Sequence, residues 1–161
     1  MKKVTIATLL ILLFPAVSYA CSCMNPFDVE KRFEGSSYVF NARVIETRLT
    51  GFITNDVGLW DHGIPSEYVI SKINIENSWK GAGEELEGII THESSASCGA
   101  RLEAGMSYIF FIDDEWVDRK PLFSNNRYGV AILCGTIPTY SDTYRESMNW
   151  LDKKGEKSPN N

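Results

Sequence analysis

Histidine is nearly absent from this chain. The two present are His62 and His92, and His92-Glu93 has no second histidine four residues on, so the helix-borne H-E-x-x-H zinc site is excluded. G-x-S-x-G, a P-loop and a dinucleotide fingerprint are missing too. The sequence therefore writes no hydrolase nucleophile and no phosphate cradle, and it calls for no cofactor. His62 has Asp56 and Asp61 near it in sequence, but a solvated polar loop accounts for all three without a metal. Basic residues are also short: 16 Lys and Arg stand against 21 Asp and Glu, a formal charge of −5. Nucleic acid and anionic membrane surfaces reward clustered Lys and Arg, so neither is an expected partner. Beyond residue 17 no run is apolar for long enough to cross a bilayer, and there is no internal repeat or low-complexity tract.

What is present starts with the first twenty residues. Met1-Lys2-Lys3 is a short basic opening, Val4 to Val17 are almost entirely apolar, and Ser18-Tyr19-Ala20 sets small residues at −3 and −1. That is the layout of a secretory signal peptide over residues 1–20, its apolar core too short to span a membrane. Cleavage after Ala20 would leave 141 residues, enough for one domain with a real core. Lys2 and Lys3 would go with the leader, taking the formal charge to −7. The expected product is periplasmic or secreted, monomeric and without a membrane anchor. A lipidated Cys21 is the alternative. Lipoprotein leaders usually carry Leu at −3 and a small residue at −2, where this chain has Ser18 and Tyr19.

Four cysteines in an exported chain read as two disulfides. Cys21-Ser22-Cys23 would open the mature protein, with Cys98 and Cys134 far downstream. Three pairings are open, of which Cys21–Cys23 would be strained, because extended i, i+2 neighbours sit near the upper limit of disulfide Cα spacing. In an extended segment residues i and i+2 point one way and i+1 the other. Both thiols can then face the body while Ser22 faces out, making a stapled, exposed chain terminus. A reduced Cys-x-Cys could hold metal or exchange disulfides, but an oxidising destination favours structural bonds.

Strands dominate the remainder. A short helix is expected over Phe27 to Phe33, with Asn25 as N-cap, Pro26 in the first turn and Gly35 as the stop; Val29 and Phe33 share its core face. Ser37 to Thr47 reads as a half-buried strand, with Tyr38, Phe40, Ala42 and Val44 on one face and Asn41 and Arg43 on the other. Arg48 to Pro65 reads as a long loop. Strands follow over Glu67 to Ser78 and Leu86 to His92, separated by a turn at Trp79-Lys80-Gly81-Ala82-Gly83. After the small, polar Ser94 to Gly99 loop come Tyr108 to Ile112, a weaker strand around Trp116 to Phe123, and one strand from Tyr128 to Thr136. The last element is a helix from about Ser141 to Leu151, with Thr143 and Glu146 as a capping box and Tyr144, Met148 and Leu151 as its apolar stripe. Residues 152–161 read as a frayed polar tail. Short spacings between strands, with helices at both ends, give a mainly β domain over residues 21–151. The expected architecture is an OB-like, closed or partly open five-stranded barrel with flanking short helices, and a β-sandwich is its competitor.

Several of these residues together resemble the tissue inhibitors of metalloproteinases and the wider netrin-like module. The resemblance rests on Cys21-Ser22-Cys23, Ser37 to Val44, Ile73-Asn74-Ile75 leading to Trp79-Lys80-Gly81, Cys98-Gly99, Gly105-Met106-Ser107-Tyr108 and Cys134-Gly135-Thr136. It covers Cys21 to about Leu151 and has the look of a single-domain, bacterial-type member. It implies disulfides Cys21–Cys98 and Cys23–Cys134, and an inhibitor of zinc metalloproteases rather than an enzyme. In that implied mechanism the Cys21 amine and carbonyl chelate the protease's zinc, while Ser22, Cys23, Met24 and the Ser97-Cys98-Gly99 loop make the contact ridge. Animal members carry a third disulfide in this domain and a second domain after it, and these residues contain neither. Many netrin-like modules do not inhibit proteases, so a protein-interaction module without inhibitory activity is the alternative.

Overall fold

The computed structural model describes residues 27–53, 66–81, 86–93, 99–113, 117–118 and 128–155. Seven strands form one sheet: β1 (Tyr38–Ile53), β2 (Ser66–Lys80), β3 (Gly88–His92), β4 (Ser107–Ile112), β5 (Val117–Asp118), β6 (Tyr128–Val130) and β7 (Thr136–Pro138). Their order is β5-β6-β3-β2-β1-β4-β7. Neighbours run antiparallel except β3 and β6, which are parallel. Helix α1 (Val29–Gly35) precedes the sheet and α2 (Asp142–Gly155) follows it.

Connectivity forces this sheet to curl. β6 and β7 are separated by β3, β2, β1 and β4, and in a flat sheet that is about 24 Å at ~4.8 Å per strand. Only residues 131–135 join them, and three of these, Leu133–Gly135, are wound into a 3-10 turn. Extended chain covers at most ~3.3–3.6 Å per residue, so the wound connection cannot bridge a flat sheet. The long β1 and β2 accommodate the curl through four register shifts, since bulges bend a strand and increase its twist. The result is a mainly β, OB-like half-barrel. The expected strand from Tyr128 to Thr136 is thus two strands on opposite sides of the curl, and the described residues form seven strands where five were expected. β1 is also longer than expected: Arg48 to Ile53 continue the strand rather than opening a loop, and residues 54–65 lie outside the described part.

Inside the curl, Phe40, Ala42, Val44, Ile89, Tyr108, Phe110 and Ile112 form the main core with Leu86, Leu102 and Ala131. The Phe40 and Phe110 rings lie 5.4 Å apart, and complete burial of each contributes roughly 1.5–3 kcal/mol. The face expected from Tyr38, Phe40, Ala42 and Val44 is the face that packs here. On the opposite face Arg43 is exposed as expected, but Val39 and Asn41 are buried rather than solvated. Val39, Ile109, Phe111, Ile137 and Leu151 make a second core, joined by Val29, Phe33, Tyr144 and Met148 from the helices. Asn41, expected on the polar side, is buried and satisfied: its amide donates to Glu76 at 2.8 Å and its carbonyl accepts from Tyr144 Oη at 3.0 Å.

The caps differ from those expected. α1 starts at Val29 with Asp28 as N-cap, its carboxylate accepting from the Lys31 amide at 3.1 Å, whereas Asn25 and Pro26 lie outside the described residues. At α2 the Ser141 hydroxyl accepts from the Tyr144 amide at 3.2 Å, so the cap is Ser141 rather than a Thr143–Glu146 box. α2 also runs on through Gly155; Asp152 to Gly155 are helical, not tail, and residues 156–161 fall outside the described part.

Trp79-Lys80-Gly81 ties both helices to the sheet. The Trp79 indole N–H donates to Asp152 of α2 at 2.9 Å. The Lys80 ammonium donates to the carbonyls of Phe33 and Glu34 at 2.8 and 3.1 Å, satisfying carbonyls that the end of α1 leaves open. Gly81 has φ +70°, and a Cβ there would meet the Ser37 carbonyl oxygen at 2.6 Å. Gly105 has φ +87° but nothing within 4 Å. Gly81→Ala is therefore predicted to cost about 2–4 kcal/mol, strain plus collision, and Gly105→Ala only about 1 kcal/mol. Urea-unfolding midpoints of the two variants check the difference, and equal losses would contradict it.

Candidate functional site

Of the residues singled out by sequence, Cys21, Ser22, Cys23, Met24, Ser97 and Cys98 lie outside the described residues. Gly99 and Cys134 are described. Cys134 sits in the 3-10 turn between β6 and β7 and is disulfide-bonded.

What the structure does bring together is the backbone around them. Gly99 forms an antiparallel bridge with Ile132. The Ile132 carbonyl accepts from the Gly135 amide at 3.0 Å and the Thr136 hydroxyl at 3.1 Å, which closes the turn holding Cys134. One residue after Gly99, the Ala100 amide donates to the buried Thr91 hydroxyl at 2.7 Å. On the other side Phe27, four residues after Cys23 in sequence, packs edge-on against Phe111 with ring centroids 5.7 Å apart. Gly99 and the turn that carries Cys134 therefore meet at one corner, at Ile132, and Phe27 packs on Phe111, whose carbonyl oxygen lies against Gly135 of that turn.

Both described glycines that follow a cysteine are there for space. A Cβ on Gly99 would collide with the His92 carbonyl, and one on Gly135 would lie 2.8 Å from the Phe111 carbonyl oxygen. The expectation that the Ser94–Gly99 loop can approach another backbone closely holds at Gly99; residues 94–98 are outside the described part. Sequence reasoning missed Ile132, the residue on which the corner is built. The available signal was the repeated Cys-Gly pair, which marks two places where backbone presses on backbone.

Elsewhere, a cleft of about 490 Å³ opens beside β1, β2 and β6, next to Glu87 just before β3. Buried Ile70, Ile73 and Tyr128 line it, together with the exposed charges of Glu46, Arg48, Lys72 and Glu87. It contains none of the site residues expected from the sequence. Among the described residues no group of three or more His, Cys, Asp and Glu is placed to hold a metal, and no helix is long and apolar enough to cross a membrane. His62, Asp56 and Asp61 are outside the described part.

His92, whose carbonyl Gly99 presses on, stacks its half-buried ring on Tyr68 with centroids 4.7 Å apart. Burial lowers its pKa below the ordinary 6.5, so the fold favours the neutral ring. The unfolded chain then takes up the proton first. Stability contributed by His92 is complete above pH 6.5 and is lost as pH falls from there through the folded-state pKa. His92→Gln is predicted to flatten this part of the stability–pH profile, measured by urea unfolding between pH 7.5 and 4.5 as about the range in which histidine titrates. An unchanged slope would show that other groups set it.

No family model matches the chain. Over 149 residues it is 24% identical to metalloproteinase inhibitor 2 of Canis lupus familiaris, an alignment covering 91% of this chain and 62% of that relative. The chain thus spans less than two thirds of the relative's length. The similarity is to an inhibitor rather than an enzyme, and it runs through nearly all of the chain described above.

Proposed function

We propose that this chain is a secreted or periplasmic inhibitor of zinc metalloproteases. Removal of residues 1–20 would free the α-amine of Cys21, and the N-terminal segment would be the inhibitory wedge. The observation that carries this reading is the corner at Ile132. Gly99 and the turn of the disulfide-bonded Cys134 meet there, and Phe27 packs on Phe111, whose carbonyl oxygen lies against Gly135 of that turn; this supports the reading in a chain similar to a metalloproteinase inhibitor. Pairings Cys21–Cys98 and Cys23–Cys134 would close loops of the order of 100 residues, each worth roughly 4–5 kcal/mol in the chain-entropy model.

The chemistry follows from the coordination of zinc. A catalytic zinc has three protein ligands and one position held by water. The amine nitrogen and carbonyl oxygen of one N-terminal residue close a five-membered chelate ring, so Cys21 can displace that water. Ser22, alternating away from the two half-cystines, enters the protease pocket beside the zinc. Cys23, Met24, Ser97, Cys98 and Gly99 widen the ridge. A wedge held rigid before binding loses less conformational entropy on contact.

The amine must be unprotonated to bind zinc. An unperturbed α-amine titrates at about 7.7–8.0, so inhibition by the mature protein is predicted to weaken by about tenfold per pH unit below that range. Leaving one extra Ala before Cys21 is predicted to abolish inhibition of a zinc endopeptidase, with the circular dichroism spectrum unchanged. Inhibition constants for the two forms, measured across pH, decide it. An extended protein that inhibits as well as the mature one would remove the chelate, and the netrin-like interaction module without inhibitory activity would be the better reading.

A further inference from the structure

Among the described residues the outer half of β1 has no strand paired on one side. β4 pairs with β1 only from Tyr38 to Arg43, and two bonds at Val44, from its amide to Met106 and from the Gly105 amide to its carbonyl, end that contact. From Ile45 to Ile53 the described partner of β1 is β2 alone. The register shift between Val44 and Glu46 sets two residues of β1 against one of β2. Val44 faces away from β2, so the extra residue makes Thr47 and Leu49 the next to turn their N–H and C=O outward. Around them Ile45 is 50% and Leu49 58% exposed, and Glu46 and Arg48 are exposed. Neither charge has an ion-pair partner among the described residues.

We propose that this edge pairs with the same edge of a second copy, an antiparallel β1–β1 dimer with its two-fold axis at Thr47. The pattern is self-complementary about that residue. Thr47 would exchange both of its outward bonds with its counterpart, and Glu46 of each copy would stand directly opposite Arg48 of the other. Charges on an edge strand usually repel further strands. Here they are of opposite sign and symmetrically spaced, so a second copy supplies the counter-charges that the described part of one copy lacks. Directly opposed charge pairs stabilise antiparallel ladders and like charges oppose them. Such a dimer would replace the expected monomer, and nothing in this inference depends on protease inhibition.

Sedimentation velocity of the full exported chain, from micromolar to near-millimolar concentration, tests it. Wild-type protein is expected to rise toward twice the monomer mass. E46R puts Arg against Arg and R48E puts Glu against Glu, and each is expected to weaken self-association by roughly tenfold or more. An equimolar mixture of the two variants restores opposite charges at both positions and is expected to recover association. T47P, which removes the outward amide donor of an edge strand that tolerates proline, is expected to weaken it as well. Wild-type protein that stays monomeric, single reversals without effect, or a mixture that fails to recover would each overturn the proposal.

Discussion

The first six residues of β1 are the constraint on which the structure depends. From Val39 to Arg43 the strand is paired with β2 on one side and β4 on the other, and from Val39 to Ala42 it is buried on both faces at once. Phe40 and Ala42 belong to the core inside the curl and Val39 to the core beneath the helices. A segment enclosed on four sides admits few substitutions, because neither a larger side chain nor an unpaired polar atom has room. Asn41 is the exception that shows the rule: it is accepted there because Glu76 and Tyr144 take up its amide and carbonyl.

From that strand the geometry passes outward to two joints. At one, Trp79-Lys80-Gly81 binds both helices, so the second core is closed by side chains reaching from the end of β2. At the other, Ile132 holds Gly99 and the turn of Cys134 where the chain crosses from β3's side of the sheet to β4's. The second joint gathers the described parts of the candidate site. Curling of the sheet and assembly of that corner are consequences of one short connection between β6 and β7.

Much of this was legible in the residues, and the misreadings have physical causes. Period-two alternation from Tyr38 to Val44 and the unbroken apolar run from Tyr108 to Ile112 identified the two strands that form the core. The break at Ala131 to Gly135 was invisible because Ile132, Leu133 and Thr136 have the composition of strand while serving as a corner. β1 looked too short because Gly51 and the Gly- and Asn-containing residues after it read as loop, although ladder pairing with β2 carries the strand to Ile53. Both caps were displaced because neighbouring residues offer competing acceptors, and local pattern cannot rank Asp28 against Asn25 or Ser141 against Thr143. The tail at Asp152 to Gly155 is helical because Trp79 pins Asp152 and two lysines complement the end of the helix dipole. For the candidate site, the two Cys-Gly pairs mark segments whose glycines the structure brings to Ile132, while Cys-x-Cys lies outside the described residues. Their meeting point, which depends on pairing across the sheet, was not written locally.

The central claim is that the N-terminal segment acts on a metal held by its target. The most direct test is the affinity of the mature protein for one zinc endopeptidase, measured by calorimetry with the zinc in place and again after its removal, the protease fold being checked in both states. A chelating wedge predicts tight binding to the zinc-loaded enzyme and a large loss on zinc removal, with protons released in the first case only. Equal affinity for the two forms would contradict it.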